Sequence, residues 1–74
     1  MVSHRFTVII MSEKGGGYHA FCPALEGCHT QGNTVEEARA NAQEAVELYL
    51  KDLLAEGEPI PVDNCIITWV NVDS

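Results

Sequence analysis

Apolar and polar positions change their period several times along this chain, and each change marks an element. His4 to Met11, HRFTVIIM, is β-branched and aromatic, which predicts a strand. The following SEKGGG cannot continue it, because three successive glycines suit a hairpin loop that visits positive φ. Tyr18 to Cys22, YHAFC, alternates in bulk and predicts the returning strand, which Pro23 ends by removing a ladder donor. ALEG then turns the chain, and Cys28 to Gln31 predicts a short third strand before Gly32.

The period then lengthens from two to between three and four. Val35, Ala38, Ala42, Ala45, Val46, Tyr49 and Leu53 form one apolar stripe, with Glu36, Glu44, Glu47 and Lys51 on the opposite side. Thr34 and Glu37 have capping-box spacing, and Glu36 and Glu37 complement the positive end of the helix dipole. Gly57 is placed as a C-terminal cap, and EPIP cannot extend the helix, so one helix is predicted from Val35 to about Glu56. After PVDN, Cys65 to Val72, CIITWVNV, is strand-like again. The expected order is β-β-β-α-β. The last strand should run parallel to the first through a right-handed crossover, in an α+β two-layer domain with one helix on a four-stranded sheet.

One helix covers one sheet face, yet two strands are apolar on both. Phe6, Val8 and Ile10 oppose Ile9 and Met11; Ile66 and Val70 oppose Ile67 and Trp69. The second face is therefore expected to meet another chain, making self-association as a dimer or tetramer the natural state. Length agrees: 74 residues form a single domain spanning 1–74, and a chain this short hides only about 60% of its unfolded surface.

Eleven acidic residues against four basic ones give a net charge of -7. That surface repels phosphate backbones and attracts basic proteins, so direct nucleic-acid binding is not expected and a basic protein partner is. No apolar run approaches the roughly 20 residues of a membrane span. The N-terminal MVSHRFTVIIM is too short for a signal h-region, and three cysteines without a secretion signal fit reduced thiols in the cytoplasm.

The stretch from Gly15 to Thr34 concentrates cysteines, histidines and glycines, which raises the question of a reactive site. KGGGYH lacks the Lys-Ser or Lys-Thr and the following helix of a phosphate loop. His19, Cys22, Cys28 and His29 carry zinc-type donors but no Cys-x-x-Cys knuckle, and Cys28 and His29 point to opposite strand faces. A thiol nucleophile at Cys22 or Cys28 would lack an orienting carboxylate, and Glu26 is the only acid inside the stretch. No catalytic residue, metal or cofactor is assigned.

The residues FTVII, then GGY-x-AFCPALEGC-x-TQG-x-T-x-EEA, then A-x-ELYL-x-DLL-x-EGEPIP resemble the HicB-like antitoxin family over Phe6 to about Val70. The resemblance implies a partial RNase H-like β-β-β-α-β fold without nuclease carboxylates. It implies the antitoxin of a type II toxin–antitoxin pair, binding and masking a small basic HicA-like toxin that cleaves mRNA. The alternative is a stand-alone HicB-fold adaptor or regulatory domain without a toxin. Full family members carry a C-terminal DNA-binding segment, for which the residues up to Ser74 offer no pattern. Toxin contact is expected at the exposed strand face and the Cys22 to Gly32 loop. Tyr18, Phe21, Cys22 and Pro23 would be contact residues there, and Glu26, Glu36, Glu44 and Glu47 charge partners. Gly27, Gly32, Thr34, Glu37, Gly57 and Pro61 are expected to shape the fold.

Overall fold

A computed structural model describes residues 3–74. Met1 and Val2, part of the stretch read for a signal peptide, lie outside the described residues. Among those residues the chain forms β1 (Ile9–Ser12), β2 (Tyr18–Phe21), β3 (His29–Gly32) and α1 (Val35–Ala55), in the order β-β-β-α. The sheet is an antiparallel meander, β1-β2-β3, with Ile10 opposite Ala20 and Ala20 opposite Thr30.

The helix ends as its sequence predicts. The Glu37 amide, a donor that the first turn leaves free, donates to Thr34 Oγ1 at 3.0 Å, and the Glu37 carboxylate reaches back to accept from the amide of Asn33, just before the cap, at 3.0 Å. At the other end the Gly57 amide donates to the Leu54 carbonyl and the Glu58 amide to the Leu53 carbonyl. This pair of bonds is the Schellman arrangement, and it needs the φ of +71° that Gly57 adopts.

Helix and sheet meet through small side chains. Ala20, Ala38 and Ala42 are buried together, with Val8, Ile10 and Tyr18 packed around them. A second cluster, Cys22, Leu25 and Cys28, sits under Phe6, Ala45, Val46, Tyr49 and Leu50. Gly32 allows the closest approach: a Cβ there would lie 2.5 Å from the Ala38 backbone nitrogen. The face assignment of the first strand holds, since Val8 and Ile10 reach the helix side while Ile9 and Met11 are exposed.

Three expectations are corrected. The paired part of the first strand is Ile9–Ser12 rather than His4–Met11, because β2 is only four residues long and reaches no further back than Ile9. The sheet has three strands among the described residues, not four. Cys65 to Val72 carries no strand and is exposed throughout, so the parallel crossover is absent as well. The strand-like composition is there, but a strand needs a neighbour to hydrogen-bond with, and among the described residues no strand pairs with it.

Candidate protein-binding surfaces

With the helix on one side, the other side of the sheet is bare. Alternation places Ile9 and Met11 of β1, His19 and Phe21 of β2, and His29 and Gln31 of β3 on it. Ile9 is 39% and Met11 56% exposed. The antiparallel register sets Phe21 opposite His29 and His19 opposite Gln31, so the two imidazoles meet diagonally. His29 Nδ1 lies 3.1 Å from His19 Nε2, and Phe21 stacks on His29 with ring centroids 5.7 Å apart. No acid occupies these positions, so the face is apolar and aromatic with two imidazoles.

The sequence reading set Cys28 apart from His29 along one strand and did not compare His19 with His29 across strands. Register was the missing quantity. Among the described residues no group of three or more His, Cys, Asp or Glu is placed to hold a metal ion.

The expected contact residues divide between several places. Phe21 is on the bare face. Tyr18 points the other way and packs on the alanine cluster. Cys22 is 3% exposed and belongs to the core, where a single chain offers it to no partner. Pro23 and Glu26 are exposed in the turn that ends at Gly27, whose φ is +78°. The Leu25 amide donates to the Cys22 carbonyl and the Cys28 amide to the Leu25 carbonyl, which tightens that turn. The Tyr49 hydroxyl donates to the Glu26 carbonyl at 2.9 Å and holds the turn against the margin of α1. Glu36, Glu44 and Glu47 are exposed along the helix, on the side of the molecule away from Phe21. Pro61 is exposed beyond the helix.

The thiols are not poised for chemistry. Burial, and to a lesser extent the neighbouring Cys22, pushes the Cys28 thiol above its ordinary range, which disfavours the thiolate that a nucleophile needs.

One anchoring residue was not foreseen. Asp63 Oδ2 accepts from the Thr7 amide at 2.6 Å and from the Thr7 hydroxyl at 2.7 Å, and Oδ1 accepts from the Cys65 amide at 3.1 Å. These bonds, the Thr7 hydroxyl foremost, hold the carboxyl down at about 2. The signal lay in PVDN, where an aspartate at the end of a proline-bounded turn commonly takes backbone donors. Beyond this tether Ile66, Ile67, Trp69, Val70 and Val72 are all at least 66% exposed.

Comparison with known proteins assigns the lineage. A model of the HicB_like antitoxin of bacterial toxin-antitoxin systems matches residues 6–73. The chain belongs to the HicB-like antitoxin family. Among its relatives, the UPF0150 protein ssr1765 of Synechocystis is 52% identical over 93% of this chain and 87% of its own length. The UPF0150 protein Ta0767 of Thermoplasma acidophilum is 45% identical over 81% of this chain and 87% of its own. A chain of the solved HicA3 and HicB3 toxin-antitoxin complex superposes with a TM-score of 0.64 and 30% identity, covering 77% of this chain and 66% of that one. The HicB-like chain thus shares its three strands and helix with a protein of a toxin–antitoxin assembly. Among its described residues no helix is long and apolar enough to cross a membrane.

Proposed function

We propose that this protein is an antitoxin that binds a small, basic HicA-like ribonuclease in the cytoplasm and masks its active site. The observation that carries this reading is the joint match to the HicB-like family model and to a chain of a HicA–HicB complex. The net charge of -7 supports it, because an acidic inhibitor steers and holds a basic RNA-cleaving partner.

In this proposal the charge partners are Glu36, Glu44 and Glu47 on the outer face of α1, with Glu26 at its margin. The bare sheet face lacks acids and serves self-association instead, through Phe21, Ile9 and Met11. The protein acts by binding rather than catalysis, consistent with Cys22 and Cys28 being core thiols.

The test is whether a small basic HicA-like protein is encoded beside it, followed by co-expression of the two. The antitoxin should restore growth arrested by that protein, co-purify with it and stop its mRNA cleavage in vitro. A neighbour that arrests growth regardless, and does not bind, would sink the reading.

A further inference from the structure

The chain carries a strand without a neighbour and a sheet edge without a strand. The strand-like segment is Cys65–Val72: it is rich in β-branched and aromatic residues that would be apolar on both faces of a sheet, yet Ile66 is 90% and Trp69 82% exposed. The edge is the outer side of β1, which pairs with β2 on its other side only. Next to that edge, between it and the helix, runs a groove of about 320 Å³ lined by His4, Phe6, Val8, Ile10, Arg39, Gln43 and Val46. A trough along an open edge, with Phe6, Val8, Ile10 and Val46 among polar neighbours, is where a further strand would lay its inward side chains.

From these features we propose that Cys65–Val72 of a second copy fills the edge and groove, and that two copies exchange these strands around a twofold axis. The occupant is a second copy for three reasons on the molecule itself. First, the tail is fixed at the edge but not along it: Thr7 holds Asp63, and the Cys65 amide turns back onto the same carboxylate. Second, beyond that tether Ile66, Ile67, Trp69 and Val70 are all at least 66% exposed, so the chain's own groove does not receive them. Third, the chain is drawn out. Its longest dimension is 49 Å and its radius of gyration 14.3 Å, where a closed domain of this length has about 11 Å. An edge that offers a groove and a tail that offers a strand are complementary, so each copy can give and receive one. This contact is independent of the toxin proposal, and its test uses no toxin.

Trp69 is the sole tryptophan and sits in the exchanged segment, so its emission reports the contact directly. The full-length protein should sediment as a dimer at tens of micromolar, with blue-shifted Trp69 emission that moves to the red on dilution as the dimer dissociates. The double variant Ile66→Asp, Val70→Asp should weaken the dimer by on the order of 100-fold and expose Trp69. Both positions are largely exposed in one chain, so the helical circular dichroism should not change. Two results would overturn the proposal: buried Trp69 in a monomer, meaning the tail closes on its own edge; or exposed Trp69 in any assembly, since contact through the bare sheet face alone leaves the tail free.

Discussion

Gly32 is the tightest point of the molecule, since even one methyl group there would meet the backbone of α1 at Ala38. The neighbouring atoms are main chain and cannot rotate away. Gly32→Ala should therefore destabilise the domain by about 1–3 kcal/mol, measured by urea denaturation. Thr34 acts at the same junction. Removing its hydroxyl in Thr34→Ala leaves the Glu37 amide without its cap and should cost about 1 kcal/mol in the same assay. The three cysteines should separate in thiol labelling. Cys65 is exposed and reacts in the folded protein, though slowly, because its bond to Asp63 raises its pKa. Cys22 and Cys28 are buried and should react only when the core opens, at rates that follow denaturant. Fast labelling of Cys28 in native protein would contradict the packing described.

Among the elements, α1 contributes most, because its stripe seals both core clusters while its caps satisfy its ends. The segment after it is held at one point. Asp63 titrates at about 2 in the folded chain against the usual 3.8. A depressed folded pKa means that the ionised form is favoured by folding. The tether thus contributes fully above the unfolded value and is lost as pH falls through about 2. The protection of the Thr7 and Cys65 amides, relative to their intrinsic exchange rates, should be lost over that window. Asp63→Asn, which keeps an acceptor but removes the charge, should show less protection at neutral pH and no further loss of it in acid.

For the whole molecule, the distribution of charge matters more than its sum. Acids line the helix side and the bare sheet face has none, so the two sides suit different partners. Reversing Glu44 and Glu47 together to lysine should slow association with a basic toxin by about tenfold at low salt and flatten its salt dependence. Phe21→Ala should leave that rate unchanged and weaken self-association instead, read by sedimentation. The opposite pattern would exchange the roles of the two sides.

Much of this architecture is written locally. The capping residues, the apolar stripe and Gly57 define a helix because each interaction spans at most a few residues, and helix ends obey sequence rules. The glycine hairpin and the two faces of β1 follow from the period of the side chains. The family signature also lies in contiguous residues, from Tyr18 to Pro61. Three features had to wait for the fold. Cys22 is a core residue because β2 delivers it beneath α1, and the meeting of His19 with His29 depends on strand register, which sets His29 diagonally across from His19. The fate of Cys65–Val72 depends on more still. Its β-branched and aromatic composition makes it able to be a strand, but a strand exists only where another backbone supplies its hydrogen bonds, and that is a property of neighbours in space rather than of the segment.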